Sequence, residues 1–169
     1  MEFRRITLIA ATLAVVGSAS AWGEDAKKLT SSGNWEAYAY TEGGAKVCYA
    51  AARAEKPHDK DRAGTAIAVT HRPKSPGEVS LIASYGFKKD SEAEIQIGGM
   101  KHAFFTKGGS SAWAKDPQAD KAIIAAMAKG KDVLVKAQPA KGAAISDTIS
   151  LKGFSDALAA IDKACGVKR

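Results

Sequence analysis

The stretch Trp35-Glu36-Ala37-Tyr38-Ala39-Tyr40-Thr41-Glu42-Gly43-Gly44-Ala45-Lys46-Val47-Cys48-Tyr49-Ala50 decides the fold class. Two short β-prone runs flank a Gly-Gly pair, and glycine tolerates the positive φ that tight hairpins need, so the segment reads as an antiparallel hairpin. The same pattern recurs towards the C-terminus. Thr65 to His71 and Glu78 to Phe87 form a second pair, joined by Pro73-Lys74-Ser75-Pro76-Gly77. Glu92 to Ile97 and Met100 to Thr106 form a third across Gly98-Gly99. Six consecutive strands with short turns predict an antiparallel meander or sandwich.

Beyond Thr106 the periodicity changes. Asp116-Pro117 is an N-cap residue followed by proline at the first helical position, and Gly130 stands where a C-terminal cap belongs. Ile123, Ile124 and Met127 between them have helical spacing. A strand over Asp132 to Gln138 follows, then Ala144 to Leu151, which alternates cleanly: Ser146, Thr148 and Ser150 share one face, and Ile145, Ile149 and Leu151 the other. Ser155 to Ala164 reads as a short closing helix with Phe154, Leu158, Ile161 and Cys165 along one side. The expected class is therefore mainly β with two short helices, in an antiparallel β-sandwich-like domain.

Upstream of the hairpin the chain changes character. Trp22 to Gly33 is polar and aperiodic, and reads as a flexible lead over residues 22–33 before a single domain spanning 34–169. Arg4-Arg5, the apolar run Ile6 to Val16 and the exit Gly17-Ser18-Ala19-Ser20-Ala21 have the order of a secretory signal peptide, residues 1–21. As a helix that run would rise about 16 Å, roughly half a hydrocarbon core, too short for a stable transmembrane segment. The mature chain is expected to begin at Trp22 and to be periplasmic or secreted.

Export gives the cysteines their meaning. The chain holds two, Cys48 and Cys165. In an oxidising compartment they can persist as a disulfide, and the alternative is a reactive thiol or metal-ligand pair. No basic residue or histidine is adjacent to either one, which favours the structural bond. Closing so long a loop stabilises a domain by about 5 kcal/mol on the chain-entropy argument, as an upper figure. Such a bond would pin the last helix onto the strand containing Cys48.

Composition excludes more than it identifies. Apolar residues at 46% and charged residues at 25% rule out wholesale disorder and collagen-like repetition. The net charge of +7 is dispersed and interleaved with acids, as in Lys56 to Arg62 and Lys88 to Glu94, which suits a solvated surface and not a nucleic-acid stripe. An anionic envelope or host component is the partner such a surface would meet after export. No nucleophile elbow, S-x-x-K, H-E-x-x-H, phosphate-binding loop, G-x-G-x-x-G or C-x-x-C occurs. His58, His71 and His102 make no close pair that would aim two imidazoles at one metal. No catalytic residue, metal or cofactor is implied.

Trp35, Cys48 and above all Ser150-Leu151-Lys152-Gly153-Phe154-Ser155-Asp156-Ala157-Leu158, ending at Cys165, resemble the invasion-associated locus B family. These are exported alphaproteobacterial proteins with a β-sandwich-like domain, and the resemblance runs from about Gly33 to Cys165. Many members carry a further cysteine pair after an aromatic strand. Here the comparable stretch, Phe104 to Trp113, has none, which makes the chain look like a divergent branch. The resemblance implies a role at the cell envelope or in host-cell invasion, and offers no catalytic residues.

Two features could carry function. Phe105, Lys107 and Trp113 surround a Gly-Gly-Ser-Ser loop, and Tyr85, Lys88 and Lys89 form a second aromatic-basic cluster; both are candidate recognition surfaces. The plainer expectation has Phe104 or Phe105 in the core and Trp113 packed on the next helix. Asp147 shares the apolar face of its strand and is a candidate buried carboxylate, needing a partner or a raised pKa. The leading expectation is a non-enzymatic recognition domain. A small-ligand carrier, or an enzyme whose site is invisible in sequence, remains the alternative.

Overall fold

The computed structural model describes residues 26–55 and 63–169. The expected signal peptide, the start of the lead and most of the charged stretch around His58 lie outside them. The strands are β1 (Lys27–Ser32), β2 (Trp35–Glu42), β3 (Ala45–Arg53), β4 (Ala66–Arg72), β5 (Ser75–Ile82), β6 (Glu92–Ile97), β7 (Met100–Phe105) and β8 (Ser111–Ala114). Then come α1 (Pro117–Lys129), β9 (Asp132–Ala137), β10 (Ile145–Ser150) and α2 (Phe154–Cys165). All ten strands join one antiparallel sheet in the order β1-β2-β3-β4-β5-β8-β7-β6-β9-β10. The described residues are thus mainly β with two helices, their sandwich-like character coming from one sheet that curls over on itself.

The curl is visible where the two ends of the sheet meet. The Trp35 indole N–H donates to the Ser150 carbonyl at 3.0 Å, and the Asn34 N–H to the Lys152 carbonyl at 3.3 Å. Ser32 donates its hydroxyl to Asp156 at 2.7 Å. Trp35 is fully buried, and its ring meets Phe154 edge-on with centroids 4.7 Å apart. One hydrophobic core results, joining Ala37, Ala50, Val69 and Leu81 of the first half to Ile95, Phe104, Val135 and Ile149 of the second.

Two turns touch backbone to backbone at this closure, and glycine makes it possible. Gly153 has φ +93°, and a Cβ there would lie 1.8 Å from the Ser32 carbonyl oxygen. Gly33 has φ +55°, and its Cβ would lie 2.3 Å from the Lys152 oxygen. No side chain fits at either position.

The reading of residues 22–33 as a flexible lead is corrected here for Lys27–Ser32, which pairs with β2 along its length apart from a bulge between Lys28 and Thr30. An edge strand is held by backbone hydrogen bonds on one side, so it shows little apolar alternation; Leu29 is its one hydrophobic contact with the core. The domain accordingly begins before residue 34. β8 was also unexpected. It has four residues, too few for a period, yet it joins β5 to β7.

The helices follow local rules. Asp116 caps α1 by accepting the N–H groups of Gln118 and Ala119 at 3.0 and 2.8 Å, with Pro117 in the first turn. Asp120 ties α1 to β5 by accepting the Val79 N–H at 2.9 Å, and burial raises its pKa although that hydrogen bond opposes the rise. α2 packs across β1, β2 and β3. The disulfide Cys48–Cys165 fixes its far end to β3.

Replacing Gly153 by Ala should cost at least about 3 kcal/mol in urea unfolding, since it combines a left-handed φ with a backbone clash. Gly43→Ala should cost only about 1 kcal/mol, because its φ is also positive but its space is open. Equal costs would mean that the two turns do not touch as described. Replacing both cysteines by Ser should lower stability by about 2–5 kcal/mol, and a reducing agent should then have no further effect on the urea midpoint.

Candidate recognition face

The sheet has a filled inner face, so its outer face is where other molecules can be met. Register fixes one outer row across the molecule: Glu36, Ala51, Ala68, Ser80, Trp113, Phe105 and Glu92 lie opposite one another on successive strands. Trp113 and Phe105 are direct cross-strand partners, 42% and 41% exposed. Ile82 joins them on this face at 38%. Phe104, one residue earlier, points the other way into the core. Of the plainer expectations, Phe104 takes the core position, while Trp113, beside Pro117 and Lys121 of α1, stays 42% exposed.

Lysines border the aromatic pair. Lys107 is exposed two residues beyond Phe105, where Thr106 accepts the Gly108 N–H at 3.1 Å to shape the turn. The segment carrying Lys88 and Lys89 is held against this turn. The Phe87 N–H donates to the Gly109 carbonyl at 2.7 Å, and the Lys88 N–H to the Gln138 carbonyl at 2.9 Å. A Cβ on Gly108 would meet that of Lys89 at 3.9 Å, so the two clusters expected separately are neighbours. Phe105, Trp113 and Lys107 therefore lie near Lys88 and Lys89, around the turn that joins β7 to β8.

Tyr85 does not belong with them. It packs on the core beside buried Phe87, rings 5.3 Å apart and edge-on, and its hydroxyl lies 3.3 Å from Thr65 Oγ1. Asp147 is likewise elsewhere. It is fully buried on β10 and accepts the Thr65 N–H at 2.8 Å, bridging the last strand to the entry of β4. That bond gives the carboxylate a structural task at the seam between the sheet halves.

Sequence reasoning missed a tyrosine patch on the same outer face. Tyr38 stacks on Tyr49 at 5.2 Å and Tyr40 meets Tyr49 edge-on at 6.1 Å. Lys28 and Glu36 form an ion pair beside it, and Tyr38 donates its hydroxyl to Glu36 at 2.8 Å. Alternation in Trp35–Tyr40 put these rings opposite the core, but their assembly depends on the β2–β3 register. Trp113 also walls a cleft of about 430 Å³ with Lys74, Glu78, Asp116, Asp120 and Lys121. Each of its carboxylates already has a protein partner: Arg72 for Glu78, backbone N–H groups for Asp116 and Asp120.

A further group was invisible in sequence. His71, at the end of β4, is 1% exposed, and its Nε2 lies 2.7 Å from the Asp162 carboxylate of α2. Arg169 holds the same carboxylate at 2.8 Å. Burial keeps the His71 pKa below its ordinary value, although Asp162 pulls it up. Among the described residues, no group of three or more His, Cys, Asp or Glu is placed to hold a metal. No helix there is long and apolar enough to cross a membrane.

Comparison with known proteins agrees with this architecture. The crystal structure of invasion associated protein B from Bartonella henselae superposes with a TM-score of 0.59 at 20% identity, covering 80% of this chain and 96% of that one. At that identity the likeness concerns the fold. No curated protein matches. Residues 35–162 match the family described as Invasion associated locus B (IalB) protein, a span running from the closure tryptophan to the aspartate that holds His71. The chain belongs to the IalB family.

Proposed function

We propose that this chain is an exported, non-catalytic domain that recognises an anionic component of the cell envelope or of a host surface through its Phe105–Trp113 face. The observation that carries the reading is the paired exposure of Phe105 and Trp113 on adjacent strands. Large aromatics half out of water on a rigid sheet lose little entropy on binding, and such residues dominate recognition energetics. Lys107, Lys88 and Lys89 at the border add attraction for negative charge, which steers encounter more than it holds the complex. The arrangement of residues 1–21 supports export, which suits a domain stapled by Cys48–Cys165. The matching family and the Bartonella henselae protein both carry invasion in their descriptions, which supports a role at the bacterial surface or in host-cell invasion.

Binding of the purified protein to isolated envelope fractions and to anionic vesicles tests this directly. The double variant Phe105→Ser, Trp113→Ser should bind about tenfold more weakly, while its thermal midpoint moves little because both side chains are exposed. Replacing Lys88, Lys89 and Lys107 by Ala should flatten the decline of binding with salt. Unchanged binding in the aromatic variant would remove this face from the function.

A further inference from the structure

We propose that the cavity between the C-terminal end of α2 and the turn joining β4 to β5 binds a tetrahedral oxyanion of the phosphate type, held by Lys46, Lys168 and His71. The cavity measures about 470 Å³, and its walls include Lys46 from β3, His71 and Arg72 from β4, and Cys165 to Lys168. It adjoins the cleft walled by Trp113 through Pro76, but does not depend on the Phe105–Trp113 reading.

Charge balance selects the sign of the ligand. Arg72 is matched by Glu42 at 3.2 Å and Glu78 at 3.3 Å. Asp162 is matched by His71 and Arg169. Every carboxylate named around the cavity thus has a cationic partner. Lys46 and Lys168, both exposed, have no hydrogen-bond or ion-pair partner among the described residues. Two ammonium groups therefore stand uncompensated in the wall of one concave site. The negative end of α2 opposes an anion by roughly half an elementary charge, which two full charges outweigh.

His71 supplies the second, independent observation. Its Nε2 is engaged by Asp162, whereas its buried Nδ1 has no hydrogen-bond partner among the described residues. A polar atom buried without a partner costs free energy that a ligand can recover. The Asp162 carboxylate can only accept, so Nε2 carries a proton and Nδ1 is bare in the neutral ring. An oxyanion reaches Nδ1 only once the atoms covering it shift; it then favours protonation of Nδ1, which donates to a ligand oxygen. A cationic ligand would be repelled by Lys46, Lys168 and Arg72, and a neutral hydroxyl would leave both lysines unused.

The groups surrounding His71 are accounted for on each side. Asp162 and Arg169 approach from α2 and the tail, Lys168 and Lys46 line the cavity, and Glu78 is paired with Arg72. Cys48 and Cys165 are joined in the disulfide and do not titrate. Burial lowers the His71 pKa from its ordinary value, against the pull of Asp162. A bound anion stabilises the protonated ring and so raises its midpoint. By linkage, binding is then stronger at acidic pH and weakens as pH rises through the bound-state midpoint.

The test follows the His71 ring by NMR across a pH titration of the full chain, its signal assigned with His71→Gln. Inorganic phosphate is the probe, with inorganic sulfate, whose charge is constant over this range, as control. Either anion at saturation should raise the His71 midpoint by about one unit, which makes sulfate bind about tenfold more tightly near pH 5 than near pH 8. The Lys46→Ala, Lys168→Ala double variant should bind at least about tenfold more weakly, with an unchanged thermal midpoint since neither lysine has a protein partner. Vesicles of phosphatidylglycerol in phosphatidylcholine form a second arm. A response to vesicles alone identifies a lipid headgroup as the source, and a response to free phosphate identifies a soluble one. A His71 midpoint unmoved by all three, or moved equally in the double variant, overturns the proposal.

Discussion

Everything in this fold rests on the closure at Trp35. A ten-stranded sheet has two edges, and burying one common core requires bringing β1 and β10 back towards each other. Trp35 does this with both parts of its side chain. The indole N–H satisfies the Ser150 carbonyl, while the ring surface is removed from water against Phe154. Full burial of one large aromatic contributes about 2–3 kcal/mol, and the edge-on pair about 1 kcal/mol more. Neither contact forms unless the backbones at Ser32–Gly33 and Lys152–Gly153 approach to a distance that excludes a Cβ.

The closure also decides where α2 lies. Gly153 is both the point of backbone contact and the residue before the helix, and its left-handed φ turns the chain from β10 into α2. The helix then crosses β1, β2 and β3 until Cys165 reaches Cys48. Cys48 and His71 are ladder neighbours on adjacent strands, and Asp162 precedes Cys165 by one helical turn. Disulfide and His71–Asp162 bond therefore form two adjacent struts from sheet to helix. With α2 held at both ends, the inner face is complete, and the outer face is left to carry other roles.

These relations explain what was legible in the sequence. α1 was readable because its signals are local: Asp116-Pro117 before it, Gly130 after it, and Ile123, Ile124 and Met127 within one period. β10 was readable because one face is buried and the other wet, so alternation survives. β1 was not, because an edge strand of polar residues takes its order from its neighbour. Nor was the placement of β8 between β5 and β7, since strand order is set by long-range pairing that no local pattern encodes. Exposure of Phe105 and Trp113 had the same status. The residue types were visible, but which face each occupied depended on the register of a strand too short to show a period. His71 and Asp162 are 91 residues apart, and only the docking of α2 makes them a pair.

The segment that carries the family resemblance is also tightly constrained sterically. Within Ser150–Leu158, Ser150 receives the Trp35 indole, Gly153 admits no side chain, Phe154 meets Trp35, and Ala157 is fully buried. Gly153, Phe154 and Ala157 are constrained as residue types by closure of the sheet, while Ser150 contributes its backbone carbonyl. A resemblance concentrated there reports the fold, which is also what a TM-score of 0.59 at 20% identity reports. The outer-face positions are under no such constraint. Phe105, Trp113, Lys107 and the lysines of the β4–β5 cavity could each be exchanged without disturbing the core. Chains sharing this architecture can therefore differ at these positions and still close the same sheet.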